Sequence, residues 1–276
     1  MHENSLKSSP SSSNTYSDEQ IHEQKDGTIV PLWNFHNTLS KTPMNKDFQD
    51  NFLADASAGA RIRPRDINVL IACEESQAEC QAFRALGFNA YSCDIQRCRP
   101  TANPYWHIHG DVTGLLTGDT AFNVQAGFLR TVSKWHLIIA HPPCTYLCKV
   151  SSIHMVINGK VQQERFAQMK QAREFFIKCL NAKCDYLAVE NPIPMARAQL
   201  PRPSCYIQPS WFGVKYTKKT LYWLRNLPPI LPELEFPNPK QYVKSSRGKY
   251  RSRTFPQVAE ALARQWGQYI LYELNK

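Results

Sequence analysis

WHLIIAHPPCTYL, residues 135–147, is the stretch on which the reading of this chain turns. Leu137 to Ala140 is a short apolar, β-branched run of the kind that fills a fully buried strand, and it stops abruptly at His141-Pro142-Pro143-Cys144. A cysteine thus stands just past a strand end, where open α/β sheets keep their ligand crevice. The two prolines fix the backbone and remove two donors, so the support beneath Cys144 is stiff. Cys144 is therefore a candidate nucleophile.

A second apolar run ends in the same way. Tyr186 to Val189 reads as a strand and stops at Glu190-Asn191-Pro192, so Glu190 is expected in the same crevice as Cys144. Between the two lie a segment from Leu147 to Gly159, read as a mobile loop able to close over a bound base, and a helix from Gln162 with Phe166, Met169, Phe176 and Leu180 at helical spacing.

Toward the N-terminus, Asn68 to Ala72 reads as a buried strand, and Ser76-Gln77-Ala78-Glu79 has the S-x-x-E pattern of a capping box, so a helix should start there and end at Gly87. Cys73-Glu74-Glu75, between strand and helix, is a ready site for a polar ligand. Phe88 to Ser92 is a further strand ending at Cys93-Asp94. Asp94 falls about 20 positions after the first loop, where a doubly wound nucleotide-binding fold keeps its ribose-binding acid. Trp106 to Asp111 ends in a second carboxylate, Asp111, suited to accept a hydrogen bond from an adenine amine. Residues 113–133 read as a loop and one helix.

Toward the C-terminus, Cys205 to Phe212 and Thr217 to Leu224 read as paired strands, with Lys218 and Lys219 near the turn. A proline-rich loop follows from Leu227 to Pro239. A basic, tyrosine-bearing segment then includes Lys240, Lys244, Arg247, Lys249, Arg251 and Arg253, the mixture that phosphate contacts and base stacking need. Thr254 reads as the cap of a last helix whose buried face carries Val258, Leu262, Trp266 and Ile270.

The 276 residues allow one sizeable domain with a buried core, expected over 67–276. Residues 1–66, rich in Ser, Asn, Asp, Lys and Gln, read as an extended or partly disordered arm. No run reaches membrane-span length and the N-terminus has no apolar signal core, so secretion and membrane insertion are set aside and work inside a cell, in the cytoplasm, is expected. Nine cysteines, an odd number with no CxxC pair, fit reduced thiols better than a disulfide framework. The net charge of +10 favours a polyanionic partner, nucleic acid first.

In this linear order the stretches resemble the motifs of the DNA cytosine-5 methyltransferases, in particular the compact phage and prophage versions. Pro142-Pro143-Cys144 is similar to the family's proline-cysteine motif and Glu190-Asn191-Pro192 to its Glu-Asn motif. Thr217 to Thr220 stands where the family has a Gln-Arg-x-Arg strand, here with lysines. The first loop lacks the family's glycines, and the recognition segment, about 226–253, is very small. The resemblance implies a doubly wound α/β fold, with a mostly parallel sheet of the class I S-adenosylmethionine-dependent methyltransferase type. It implies Cys144 and Glu190 as catalytic residues. Cys73, Glu74, Asp94, Ile95, Asp111, Val112, His141, Pro142 and Thr254 would bind S-adenosylmethionine, and Pro143, Asn191, Lys218, Lys219, Arg247 and Arg251 the substrate. The expected partner is DNA, double-stranded, acted on by a monomer, with no metal.

Cytosine carbon 5 is a poor nucleophile until something adds to carbon 6. A thiolate can do so, which requires a positive environment to lower a cysteine pKa of roughly 8.5. The basic segment is one candidate source. A target base in a duplex would have to be flipped out. Four alternatives stand beside this one. They are amino methylation of DNA bases, carbon methylation of a free nucleotide, a zinc module using His141, Cys144, Cys148 and His154, and a catalytically inactive DNA-binding protein.

Overall fold

Asn68–Ala72 and Leu137–Ala140 are buried at every position, because each strand has a packed layer on both of its faces. The computed structural model describes residues 22–23, 29–30, 61–242 and 253–276. The chain divides into two units, Met1–Gly59 and Ala60–Lys276. In the first, His22–Glu23 pairs antiparallel with Ile29–Val30, and the rest of the arm lies outside the described residues.

The second unit holds β1 (Asn68–Ala72), α1 (Ala78–Ala85), β2 (Asn89–Asp94), β3 (His107–His109), α2 (Thr113–Thr117), β4 (Leu137–Ala140) and α3 (Gln163–Leu180). It continues with β5 (Tyr186–Pro192), β6 (Cys205–Ile207), β7 (Thr220–Arg225) and α4 (Pro256–Leu274). The main sheet runs β6-β7-β5-β4-β1-β2-β3. β1 to β5 pair in parallel, while β7 is antiparallel to both β5 and β6. This mixed α/β arrangement fits a class I methyltransferase-like fold, as expected from the sequence.

Alternate residues of each central strand feed opposite layers. Leu70, Ile138, Leu187 and Val189 pack with Met169, Phe176 and Cys179 of α3. Val69, Ile71, Leu137, Ile139 and Ala188 pack with Phe83 of α1 and with Val258, Leu262, Trp266 and Ile270 of α4. The period of two in a strand places consecutive apolar residues on opposite faces, so a continuous apolar run serves both layers. Arg225 at the end of β7 donates to the carbonyls of Leu180, Ala182 and Cys184, satisfying acceptors at the C-terminal end of α3. Between β5 and β6 the chain crosses through a proline-rich loop with one short 3-10 turn, Ala196–Ala198.

Several local expectations are corrected. The capping box does not form, since α1 begins at Ala78 behind Gln77 in the left-handed region (φ 60°) with no side-chain cap. Its exposed N–H groups are taken instead by Glu74, which accepts from Glu79 N (2.7 Å) and Cys80 N (3.3 Å). Thr254 does not cap α4; Phe255 is the N-cap, and the Thr254 hydroxyl donates to buried Glu79 at 2.9 Å. Residues 113–133 hold, besides α2, a hairpin of Ala121–Asn123 with Leu129–Thr131, strands too short to show a period. The segment read as a mobile loop carries a 3-10 helix, Lys149–His154, and a hairpin, Val156–Ile157 with Lys160–Val161. The Asn158-Gly159 turn of that hairpin has both φ angles positive (49° and 74°), the two-residue geometry that suits a hairpin.

Gly267 in the middle of α4 lies against the ring of Phe88, where an added Cβ would stand 2.7 Å from Cζ. Phe88 is buried and packed edge-on against Phe83, so it cannot swing away. Gly267→Ala is therefore expected to lower unfolding stability by about 1–3 kcal/mol in urea denaturation despite alanine's better helix propensity. A variant as stable as the wild type would show that α4 does not sit this close to β2.

Candidate active site

The strand register builds the site. Ala72 is paired with Cys93 on one side and Ala140 on the other, and Ala140 is paired with Val189. The residues one step beyond this row, Cys73, Asp94, His141 and Glu190, therefore share the carboxyl edge of the sheet. His141 N donates to Ala72 O at 2.9 Å and Glu74 N to Cys93 O at 3.1 Å, which carries the edge one residue further. Glu190 faces Tyr222 across the antiparallel pair, and Lys218 stands two residues before β7, so that strand brings its start to the same edge. A cleft there is lined by His141, Glu190, Lys218, Thr220, Tyr222 and Thr254.

At the centre is one imidazole between two carboxylates. His141 Nε2 lies 3.1 Å from Glu79 Oε2, and its Nδ1 lies 3.6 Å from Glu190 Oε2. Glu79 is fully buried. Burial opposes the charge on His141, but Glu79 and the contact with Glu190 outweigh it and hold its pKa well above the ordinary histidine value. Burial, and then the Glu79 charge, pushes Glu74 up to about 8 against the two backbone N–H groups that favour its ionised form.

Cys144 follows His141 by three residues and is within reach of the Glu190 charge. Its carbonyl accepts the N–H groups of Leu147 and Cys148 at 3.0 Å each, a turn that brings the Cys148 thiol against it. The hydrogen bond that its S–H donates to Cys148, burial and the Glu190 charge raise the Cys144 thiol well above the ordinary value, with Lys218 pulling the other way. The same hydrogen bond, helped by Ser151, pulls Cys148 down to about 5. Cys144 is the more buried thiol, so the resting pair keeps its proton there. A net positive environment at Cys144 was the expectation; among the described residues Lys218 is the cation acting on it, and a partner thiol dominates.

The expected cofactor residues divide in two. Asp94, half-buried and raised by burial, accepts from Gln96 N at 2.8 Å. Asp111 is exposed and lowered by the Thr113 hydroxyl and N–H, which it receives at 2.7 and 2.8 Å. Ile95, next to Asp94 in sequence, is 74% exposed, an uncovered apolar side chain at the sheet edge. Cys73 takes the left-handed conformation (φ 63°) that a glycine would ordinarily supply in this loop. By contrast Glu74, His141 and Thr254 are turned on one another through Glu79, Pro142 is buried, and Val112 packs in the core. Of the expected substrate residues, Pro143 is exposed and Lys218 lines the cleft. Lys219 instead lies over the Tyr206 ring at 4.2 Å. Asn191 is fully buried, its Nδ2 donating to Pro192 O at 2.6 Å. Arg247 and Arg251, with most of the basic segment, lie outside the described residues.

Sequence reasoning placed Glu79 and Gln77 only in a capping box and Cys148 only in the zinc alternative, and missed the roles they take here. Gln77 is fully buried and ties the loop after β1 to Ser92 Oγ (3.2 Å) and to Asn103, while Ser92 Oγ lies 2.8 Å from His107 Nδ1. A polar network thus fixes the loop that glycines would otherwise shape. No spacing signals which face of α1 turns inward at its first turn. Among the described residues no three His, Cys, Asp or Glu side chains gather as a metal site, so the zinc alternative finds no ligand set there. Nor is any helix among them long and apolar enough to cross a membrane.

No family model and no curated protein matches the chain. Among solved structures, one from E. coli, described as a proposed DNA modification methyltransferase encoded within a prophage, is similar at 13% identity with a TM-score of 0.32. The likeness covers 62% of this chain and 52% of that one, so the chain spans about half the length of that structure.

Glu74 gives the site a pH signature. Its pKa is raised in the folded protein, so its contribution to stability is full below about pH 4.5 and is lost as the pH rises toward 8. Glu74→Gln keeps an acceptor for the α1 N–H groups and removes the titration. Urea unfolding at pH 5 and pH 8 should show a smaller loss of stability with rising pH in Glu74→Gln than in wild type; parallel losses would contradict the burial of this carboxyl group.

Proposed function

We propose that the chain methylates carbon 5 of cytosine in DNA, using S-adenosylmethionine and a covalent adduct to Cys144. The observation that carries this reading is the register: a cysteine four residues past β4 and a glutamate in the adjacent β5 stand at one sheet edge, with carboxylates at or just past the ends of β2 and β3. A nucleoside cofactor suits that half of the edge by the chemistry of its groups. Asp94 is an acceptor for ribose hydroxyls, Asp111 for an adenine amine, and exposed Ile95 is an apolar surface for a purine face. When bound, the cofactor would supply an electrophilic methyl group.

The protein's own part begins with the thiol pair. The Cys144 thiol gives up its proton to solvent, and the Cys144 thiolate adds to carbon 6, forming a C–S bond and making carbon 5 nucleophilic. Lys218 steadies the thiolate as it forms. Glu190 binds the pyrimidine edge and supplies a proton to ring nitrogen 3, which relieves the charge that addition places on the ring. After methyl transfer a base removes the carbon 5 proton and the C–S bond breaks, returning the thiol. A duplex substrate would be flipped to reach the edge, and the net charge of +10 favours such a polyanion.

The test is transfer of a labelled methyl group to DNA, followed by nucleoside analysis of the product. The wild type is expected to yield 5-methylcytosine, and Cys144→Ala to fall to background. Label in an amino-methylated base, or full activity in Cys144→Ala, would overturn the reading. dCMP assayed in parallel distinguishes a nucleotide substrate from DNA.

A further inference from the structure

We infer that Glu79, His141 and Glu190 form a proton relay, in which Glu79 is a positioning residue that keeps His141 protonated and His141 delivers its proton through Glu190 to the substrate ring. This rests on the cytosine reading of the site. Three observations carry it. Glu79, fully buried at the first turn of α1, directs Oε2 at His141 Nε2 across 3.1 Å, and its Oε1 accepts from Thr254 at 2.9 Å, so its orientation is fixed from α4 as well. His141 leaves its other nitrogen, Nδ1, 3.6 Å from Glu190 Oε2. Glu190 is in turn part of the cleft wall, so the chain of groups leads from a buried carboxylate to the surface where a base would sit.

A buried carboxylate beside one imidazole nitrogen fixes both the ring's orientation and its charge, leaving the other nitrogen as an N–H donor. The 3.6 Å gap to Glu190 is longer than a hydrogen bond and is closed by a small side-chain movement on substrate binding, as is usual for catalytic contacts in an unliganded site. The charged and titratable groups facing His141 are Glu79 from α1, Glu74 from the loop after β1, Glu190 from β5, Tyr222 from β7, and Lys218 and Arg253 across the cleft. Glu79 and Glu190 are the two that meet the ring nitrogens directly, which favours the imidazolium.

The step balances without a further reactant. The His141 Nδ1–H bond breaks and a Glu190 O–H bond forms; that O–H bond then breaks as the ring N3–H bond forms. One positive charge moves from the imidazole to the base. The proton returns along the same path when the C–S bond breaks.

Two measurements test the relay. NMR titration of the His141 ring should show it charged above the ordinary histidine range in wild type and at a pKa lower by at least about one unit in Glu79→Gln. The methyl-transfer rate should fall as the pH rises through the His141 pKa, so that limb should move to lower pH in Glu79→Gln. His141→Asn should reduce the rate by about 10²–10⁴-fold with its basic limb gone. A His141 that titrates at or below the ordinary value, or a Glu79→Gln profile unmoved in pH, would overturn the relay while cytosine methylation stands. Absence of methyl transfer to cytosine by the wild type would overturn the functional reading, and the relay with it. Circular dichroism and urea unfolding of each variant separate a misfolded protein from a changed pH profile.

Discussion

Two buried carboxyl groups, Glu74 and Glu79, meet a partly buried imidazole and a third carboxyl group, Glu190, at the carboxyl edge of the sheet, and most of the local structure follows from satisfying them. An unpaired buried charge would be strongly destabilising, so each group has found a partner. Glu74 closes the N-terminus of α1, Glu79 holds His141 and Thr254, and His141 reaches Glu190. These contacts join the loop after β1, the strands β4 and β5 and the start of α4, segments far apart in sequence. The same contacts leave Asp94 and Asp111 at the outer half of the edge, half-buried and exposed respectively. The edge is thereby divided into an inner half of coupled acids and a base, and an outer half suited to a polar ligand.

The fold was legible because its strands are buried on both faces. Asn68–Ala72, Leu137–Ala140 and Tyr186–Val189 show as unbroken apolar runs, and their ends in Cys73, His141-Pro142 and Glu190 show where the edge would be. The amphipathic stripe of α4 was equally plain. What sequence could not supply is which polar side chain faces inward at a loop. Glu79 fitted a capping box as well as a buried carboxylate, and only the packing of α1 on α4 decides between them. Gln77 in a left-handed conformation, doing with hydrogen bonds what glycines do with conformational freedom, carries no local signal at all. The short hairpins failed for a different reason: two or three residues cannot display a period.

The thiol pair alters the chemistry expected from the strand end alone. A lone cysteine past a proline pair needs an external charge to ionise it, whereas here a second thiol one helical turn on is the more acidic of the two. On the proposed reading Cys144 must lose a proton that its hydrogen bond to Cys148 and its burial hold in place, with Lys218 acting the other way.

The central claim is that Cys144 adds to carbon 6 of a cytosine. The direct measurement is intact mass spectrometry of the protein incubated with S-adenosylmethionine and a DNA duplex containing 5-fluorocytosine, whose fluorine blocks the final elimination and traps the adduct. The account predicts a stable protein–DNA species that maps to the Cys144 peptide and requires the cofactor for the methylated form. An adduct at another cysteine, or product formation with no covalent species, would contradict it.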